Sequence, residues 1–262
     1  MRNLFNKFHN AATLFGFDLL KLRRSLKGVG FYYKDLKEFK KQKGSDSSFP
    51  LGSKKAILDE REETSGNMKG HYFHQDLYVA RQIFLNNPKK HLDIGSRTDG
   101  FVAHVACYRE IEIMDIRPQE ISIKNISFKQ ADLMILPEDL LDQYDSISSL
   151  HVIEHFGLGR YGDPIDYHGH LKAIENITKM LKKGGRFYFS TPIGIQRVEF
   201  NAHRIFSVQY LIDLFNKDFK VEKFSYVNDE GDLFEGASLE ESAIKNDYNF
   251  NYGCGIFELI KQ

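Results

Sequence analysis

Two histidines and a glutamate lie within five residues of one another, as His151, Glu154 and His155, and a further histidine follows at position 203. Imidazole nitrogens and carboxylate oxygens bind divalent metals, and a neutral imidazole also acts as a general base near pH 7. The pattern therefore has three interpretations: a metal site, a general base with its partners, or polar residues that only pack at the end of an element.

The same His-x-x-Glu-His spacing occurs in inverted zinc proteases, which place both histidines one turn apart on a helix. Here a strand-like segment, Ser-Ile-Ser-Ser-Leu at 146–150, precedes the motif, and Gly157 and Gly159 follow it. Such flanks are typical of a strand followed by a loop rather than of a long helix. The sequence therefore disfavours a protease.

Alternating strand-like and helix-like segments position these residues. Alternation and apolar runs predict strands at 90–94, 110–115, 127–130, 146–150, 186–191, 221–227 and 254–260, and helices at 75–86, 169–181 and 208–216. This order favours a parallel sheet with crossover helices. Ligands of such sheets bind beyond the carboxyl ends of the strands, which is where the motif at 151–155 falls.

A glycine-containing turn, Asp-Ile-Gly-Ser-Arg-Thr-Asp-Gly at 93–100, follows the first predicted strand. Asp115 ends the second strand about twenty residues after Gly95, where a carboxylate can accept hydrogen bonds from ribose hydroxyls. The turn lacks the G-x-G-x-x-G spacing that favours a pyrophosphate, which disfavours a nicotinamide dinucleotide. S-adenosylmethionine has no phosphate, so one closely approaching glycine can suffice for it.

Two later segments resemble class I S-adenosylmethionine-dependent methyltransferases. Leu-Lys-Lys-Gly-Gly-Arg-Phe-Tyr-Phe-Ser-Thr-Pro at 181–192 is similar to their helix-turn-strand signature, and Gln-Ala-Asp-Leu at 130–133 is similar to their adenine-contacting segment. Residues from about 70 to 226 resemble a branch of that superfamily, the bacterial and nematode family called domain of unknown function 268 (DUF268). The runs that carry this resemblance lie at 93–97, 115–118, 151–155, 157–164 and 200–204.

The resemblance implies an α/β fold, a doubly wound Rossmann-like methyltransferase sheet of about seven strands with the last one antiparallel. We expect this domain over 53–262, after a basic amphipathic helical extension and linker over 1–52. The residues expected to bind S-adenosylmethionine are Asp93, Gly95, Ser96, Arg97, Asp115, Ile116, Asp132, Leu133 and His151. The expected catalytic residues are Glu154, His155 and His203.

Three charged residues are predicted to bind the acceptor: Arg160, Asp163 and Arg204. Arginine suits a phosphate or carboxylate, as in a nucleotide sugar or a lipid-linked pyrophosphoryl glycan. Bacterial relatives commonly accompany surface-polysaccharide genes, so the resemblance implies O-methylation of a sugar hydroxyl on a glycan, nucleotide sugar or lipid-linked sugar. Two alternatives stay open: a catalytically degenerate cofactor-binding partner in a polysaccharide assembly complex, and an NAD-dependent oxidoreductase.

The metal interpretation also has a family parallel. Small-RNA 2′-O-methyltransferases hold a divalent ion with Glu-x-x-Glu-His and a later histidine, and the residues His151, Glu154, His155 and His203 have a similar layout. Histidine in place of the first glutamate would favour Mn, Fe or Zn over Mg. Without a metal, a neutral His155 or His203 would serve as the general base.

Charge and composition limit the remaining partners. Lys and Arg balance Asp and Glu at 36 each, so net charge argues neither for nor against nucleic acid, and no nucleic acid partner is expected. Residues 1–43 hold eleven basic and three acidic residues, an excess of 8. This segment is predicted either to pack its apolar face on the main domain or on a second subunit, or to make peripheral contact with an anionic membrane. Cys107 and Cys254 lack metal-type spacing and are interpreted as ordinary buried thiols. No apolar run spans a bilayer, so we expect a cytoplasmic protein, in solution or at the inner membrane face.

Overall fold

The computed structural model describes residues 9, 11–61, 63–120, 122–135 and 138–262. The chain divides into two compact units, residues 1–67 and residues 68–262. The sequence places the boundary earlier, after residue 52, because the polar residues at 44–52 are typical of a linker. Of the predicted helical segment at 1–43, residues 1–8 and 10 lie outside the described residues.

Helix α1 (Leu19–Lys43) is the main element of the first unit. The Asp18 carboxylate caps it by accepting a hydrogen bond of 2.8 Å from the Lys21 amide, and basic residues in the last turn suit the negative end of the helix dipole. A Cβ on Gly28 would lie 1.9 Å from the carbonyl oxygen of Leu58, so the segment after the linker packs on this helix. No helix among the described residues is long and apolar enough to cross a membrane.

The second unit is built on one sheet, which has eight strands within the described residues. The strands are β1 (His91–Ile94), β2 (Ile111–Asp115), β3 (Ile126–Gln130), β4 (Tyr144–Leu150), β5 (Leu181–Ile193), β8 (Phe219–Val227), β9 (Leu233–Phe234) and β10 (Gly253–Lys261). Their order across the sheet is β3-β2-β1-β4-β5-β10-β8-β9. Strand β1 pairs in parallel with both β2 and β4, and β10 runs antiparallel between β5 and β8. The predicted doubly wound sheet with an antiparallel last strand is confirmed.

Helices cover both faces of the sheet, because apolar side chains alternate to both sides of its buried strands. These helices are α2 (His71–Asn86), α3 (Ala103–Ala106), α4 (Gly169–Met180), α5 (Val208–Phe215) and α6 (Glu241–Ile244). One core cluster joins the sheet to α4 and α5 and includes Phe187, Phe189 and Phe215. The other joins it to α2, α3 and the π-helical turn Thr98–Val102.

Two features of the fold were not predicted from the sequence. Strand β9 is an extra two-residue edge, and β6 (Arg197–Glu199) forms a hairpin with β7 (His203–Ile205) beside the main sheet. Strands of two or three residues are too short to show alternation of apolar and polar side chains. The hairpin matters because it carries His203 to the carboxyl edge of the sheet.

Candidate active site

An apolar cavity opens at the carboxyl edge of the sheet, where β1 lies between β2 and β4. Its empty volume, which includes the open mouth, is about 590 Å³. The side chains that give its apolar character are Ile94, Met114, Ile116, Ala131, Leu133, Val152 and Phe156. The predicted cofactor residues that line it are Gly95, Asp115, Ile116, Asp132, Leu133 and His151.

Gly95 keeps the first turn close to the cavity. Its φ is +66°, a left-handed conformation that favours glycine, and its amide donates a hydrogen bond of 2.9 Å to the Met114 carbonyl. A Cβ at this position would lie 2.6 Å from Cγ1 of Val152 on the cavity wall. A side chain here would therefore fill space that a ligand needs.

The Asp115 carboxylate stands at the end of β2, as predicted for a ribose-binding acid, but Arg117 holds it. Oδ1 accepts hydrogen bonds from the Arg117 amide (2.8 Å) and Nε (2.9 Å), and Oδ2 accepts one from Nη2 (2.6 Å). The Arg117 guanidinium also lies 4.5 Å from the centroid of the Tyr161 ring. Arg117 is 48% exposed but the Asp115 carboxylate is only 9% exposed, so a diol that binds Asp115 must first displace a bidentate salt bridge.

The segment after β3 is fixed against helix α4. Oδ1 of Asp132 accepts a hydrogen bond of 2.9 Å from the Met134 amide, and the Leu133 carbonyl accepts one of 2.8 Å from Asn176. Leu133 is 2% exposed and contributes an apolar wall. The turn thus places a hydrogen-bonding edge beside an apolar surface, which suits a purine base.

Asp93 lies buried behind the turn and positions it. Its carboxylate accepts hydrogen bonds from the Ser96 amide (3.1 Å) and hydroxyl (2.7 Å), and from the Ser148 hydroxyl (2.6 Å). Ser148 also contacts His91 at 3.1 Å, which extends the network between the strands. The sequence counted Asp93 among the cofactor residues, whereas in this structure its side chain bonds to the residues that shape the turn.

Burial raises the pKa of Asp93 to about 7, although its hydrogen bonds act to lower it. The folded protein therefore keeps this carboxyl protonated between pH 4 and 7, where the unfolded chain releases the proton. Stability falls as pH rises through this window, by on the order of 4 kcal/mol for a shift of about 3 units. We expect Asp93→Asn to remove this decline in urea unfolding from pH 4 to 8; an unchanged pH slope would contradict the assignment.

A larger polar cavity adjoins the apolar one and has an empty volume of about 1280 Å³. The two cavities share wall residues, including Gly95, Arg117, His151, His155 and Tyr161. Of the other predicted residues, Ser96, Arg97, Glu154, Arg160 and His203 line the polar cavity. It also has aromatic walls from Tyr72, which contacts Arg97, and from Tyr252.

His151 and Glu154 form a buried pair between the cavities. His151 Nδ1 lies 3.0 Å from Oε1 of Glu154, and both side chains are almost fully buried. Burial alone would lower the pKa of His151, but the neighbouring Cys254 and Glu154 outweigh it and raise that pKa well above its usual range. Burial would raise the pKa of Glu154, yet the hydrogen bond and charge of His151 hold it below its usual range. The pair is therefore an imidazolium bound to a carboxylate.

The His155 imidazole is neutral, and a backbone carbonyl orients it. Its Nδ1 lies 2.6 Å from the Ala202 carbonyl on the β6–β7 hairpin, so Nδ1 carries the hydrogen and Nε2 carries the lone pair. Burial lowers its pKa, and the Glu154 carboxylate only partly offsets this. A neutral imidazole with a free Nε2 lone pair at the wall of two cavities can accept a proton.

His203 faces the same polar cavity at the end of the hairpin. Burial lowers its pKa, and its Nε2 lies 3.4 Å from Oε2 of Glu199. Its ring centroid is 6.4 Å from that of His155.

The four residues predicted to hold a metal, His151, Glu154, His155 and His203, all line the polar cavity. The Glu154 carboxylate, however, is already bound to His151 at 3.0 Å, and it lies 3.8 Å from Nε2 of His155. The metal at these four residues stays a prediction.

The three predicted acceptor residues have different surroundings. Arg160 lines the polar cavity and donates a hydrogen bond of 3.0 Å to the Ala202 carbonyl. Asp163 lines the apolar cavity and accepts hydrogen bonds from the amides of Gly157 (2.9 Å) and Tyr161 (3.1 Å). Arg204 is buried, and its guanidinium donates to the carbonyls of Glu154, Phe156 and Tyr167. Arg204 therefore holds the loop after β4 in place, rather than facing the cavities.

Comparison with known proteins places this arrangement in a family. Residues 105–250 match the family described as Caenorhabditis protein of unknown function, DUF268. The chain belongs to the DUF268 family. The matched part of this DUF268 protein runs from α3 to the segment before β10 and includes the motif at 151–155 and the hairpin. No curated protein matches the chain.

Solved structures share the fold of this DUF268 protein at low sequence identity. The N-methyltransferase NodS of Bradyrhizobium japonicum WM9, solved with S-adenosylhomocysteine, is 15% identical over 73% of this chain and 88% of its own, with a TM-score of 0.50. The YcgJ protein of Bacillus subtilis is 15% identical over 72% of this chain and 98% of its own, also with a TM-score of 0.50. The [4+2]-cyclase SpnF is 15% identical over 72% and 80%, with a TM-score of 0.51. The shared fold therefore does not fix the reaction.

Proposed function

We propose that this chain is an S-adenosylmethionine-dependent methyltransferase that methylates a hydroxyl group of a sugar carrying an anionic substituent. The observation that carries the proposal is the placement of His155, a neutral base with a free Nε2, where the apolar and polar cavities meet. When bound, the cofactor supplies an electrophilic methyl group on a sulfonium. The chain must then bind the adenosine, hold the acceptor and take up the hydroxyl proton.

The apolar cavity has the features that an adenosine needs. Its apolar walls suit the base, and the Asp115 carboxylate at its edge can accept hydrogen bonds from ribose hydroxyls once Arg117 turns aside. Gly95 leaves open the space beside Val152 that a side chain would fill. The solved structure of NodS holds S-adenosylhomocysteine on a similar fold, which supports the same class of ligand for this chain.

His155 is the group that would accept the proton of the acceptor hydroxyl. The Ala202 carbonyl fixes the hydrogen on Nδ1, so the lone pair of Nε2 is available without a change of tautomer. Sugar hydroxyls are weak nucleophiles, and a positioned base of this kind is worth about 10² to 10⁴ in rate. The imidazolium that forms would be stabilised by the Glu154 carboxylate, 3.8 Å from Nε2.

The polar cavity supports an anionic sugar as the acceptor. Arg97, Arg117 and Arg160 line it; Arg97 is paired with Asp99 and Arg117 with Asp115, whereas Arg160 donates to the Ala202 carbonyl. Planar guanidinium groups bind phosphates and carboxylates through paired hydrogen bonds. The Tyr72 and Tyr252 rings on the same walls can pack against the apolar face of a sugar ring. Nucleotide sugars and lipid-linked sugars both have this combination of an anion and a polyol.

Calorimetric titration with S-adenosylhomocysteine and with NAD tests the cofactor class. We expect binding of the first and none of the second. Replacing Asp115 by Asn should lower the affinity for S-adenosylhomocysteine about 10- to 100-fold, because a hydrogen bond to a charged group is worth about 1.5–3 kcal/mol. The control is Asp139→Asn, an exposed carboxylate paired with Lys129 outside both cavities, which should leave the affinity unchanged.

One observation favours a second candidate, a cofactor-binding domain that has lost catalysis. Both oxygens of Asp115 are bound by Arg117, so a ribose must displace a salt bridge before it binds. Absence of S-adenosylhomocysteine binding in the wild-type chain would support this assembly role and reject the enzyme. If it binds, transfer of radiolabelled methyl into nucleotide-sugar and lipid-linked pools decides between the two functions, and a chelator arm tests the predicted metal.

A further inference from the structure

Three side chains that are distant in sequence meet beside the polar cavity. His71 begins α2, His151 follows β4 and Cys254 lies near the start of β10. One ligand atom from each, a histidine nitrogen or the cysteine sulfur, lies within 4.8 Å of the other two. Ligands of a tetrahedral zinc ion lie roughly 3.3–3.6 Å apart, given Zn–N bonds of about 2.0–2.1 Å and Zn–S bonds of about 2.3 Å. Small side-chain shifts would therefore enclose an ion.

His151 offers one nitrogen to this cluster. Its Nδ1 is bound by the Glu154 carboxylate at 3.0 Å, so Nε2 is the nitrogen left. Nε2 is buried and lies near the Cys254 sulfur, without a hydrogen bond of standard geometry among the described residues. A carboxylate that orients a histidine through its other nitrogen is the usual support of a metal-binding histidine. A buried polar atom without a partner is costly, and an ion bound to Nε2 would remove that cost.

The other two side chains are also held in place. The His71 ring is stacked between the rings of His151 and Tyr252, at centroid distances of 5.1 and 5.2 Å. Cys254 is fully buried, and the hydrogen-bond contacts of its sulfur are long, at 3.8 Å to Gln75 Oε1 and to the Gly255 carbonyl. The His71 ring and the Cys254 thiol therefore both lie beside His151.

We propose that His71, His151 and Cys254 bind one zinc ion, which would displace the Nε2 proton of the His151 imidazolium and the proton of the Cys254 thiol into solvent. Two imidazoles and a thiolate form a donor set that suits zinc and is poor for magnesium or calcium, which prefer oxygen. Because the ligands come from α2, β4 and β10, the ion would link three elements at the carboxyl edge of the sheet. Glu154 would be a supporting residue of this site instead of a ligand, and the site does not depend on the proposed methyl transfer.

The test is a zinc titration of the chelator-treated full chain against a chromophoric competitor. We expect one zinc per chain, and a loss of affinity of about 100-fold or more in Cys254→Ser and in His71→Gln, since each removes a ligand. Glu154→Gln should lower the affinity about 10-fold, because it supports His151 only indirectly. Cobalt in place of zinc should give a thiolate-to-metal absorption band that Cys254→Ser lacks.

The matched control is Cys107→Ser, which removes the exposed thiol and should leave both affinity and cobalt band unchanged. Circular dichroism of each variant shows whether it is folded. The number of zinc ions bound per wild-type chain is measured without any substitution, so it does not depend on a variant folding. The proposal is overturned if the wild-type chain takes up no zinc, or if Cys254→Ser keeps the affinity and the band. It is also overturned if His203→Ala loses zinc while Cys254→Ser retains it, since the ion would then sit at the four residues predicted from the sequence.

Discussion

Replacing His155 by glutamine is expected to lower the kcat of methyl transfer by about 10² to 10⁴, while the affinity for S-adenosylhomocysteine stays within a factor of about three. Glutamine can still donate to the Ala202 carbonyl but has no lone-pair nitrogen to accept a proton. The rate is measured as single-turnover transfer of radiolabelled methyl, and the affinity for S-adenosylhomocysteine is measured separately by calorimetric titration. A base, unlike a residue that only packs, should lose kcat without losing the affinity for the cofactor.

Two further variants test whether the loss of kcat comes from the loss of the base itself. His155→Ala should be partly rescued by added imidazole, which can occupy the vacated space and accept the proton. His168→Gln changes an exposed histidine outside both cavities and should keep full activity. Full activity in His155→Gln would assign the proton to another group, and His203 on the same cavity would then be the next candidate.

Replacing Glu154 by alanine is expected to lower the free energy of unfolding by about 3–5 kcal/mol, the typical cost of removing one partner of a buried ion pair. The variant leaves the His151 imidazole buried without the carboxylate that lies 3.0 Å from Nδ1. Urea unfolding followed by circular dichroism measures the change. The expected loss is largest where His151 is charged, because an uncompensated buried charge is the source of the cost.

Glu199 provides the control for this prediction, since it also lies beside a histidine. Its carboxylate is 3.4 Å from Nε2 of His203 but is 47% exposed. Exposed pairs contribute little, so Glu199→Ala should change stability by less than about 1 kcal/mol. Equal effects of the two substitutions would mean that His151 and Glu154 are not a buried ion pair in solution.

The order of the elements followed from the sequence because it depends on local patterns. Apolar runs and alternation placed the seven long strands near their observed positions, since burial of a parallel strand on both faces requires such runs. The turn at 93–100 and the position of Asp115 were predicted from the rule that ligands bind beyond strand ends, whereas the segment at 130–133 was indicated by its resemblance to class I methyltransferases. The family resemblance was visible for the same reason, because its motifs are short and continuous.

The surroundings of the site residues did not follow from the sequence. Arg204 has the residue type of an anion-binding group, yet burial and three carbonyl acceptors make it a support for the loop after β4. Nothing in the residues around Asp115 indicates that Arg117 and Tyr161 would form the wall beside it. These contacts result from side-chain packing, which depends on the folded path of the backbone.

The motif at 151–155 illustrates which features the sequence determined and which depend on the tertiary structure. The sequence by itself determined that two histidines and a glutamate end a central strand of a doubly wound sheet. Only the tertiary structure decided their roles, because His155 is oriented by a carbonyl from a hairpin 47 residues away. His151 is oriented by Glu154 toward His71 and Cys254, which lie about 80 and 100 residues away in the chain. Local spacing cannot encode contacts between such distant residues, since these form only when the strands and helices pack.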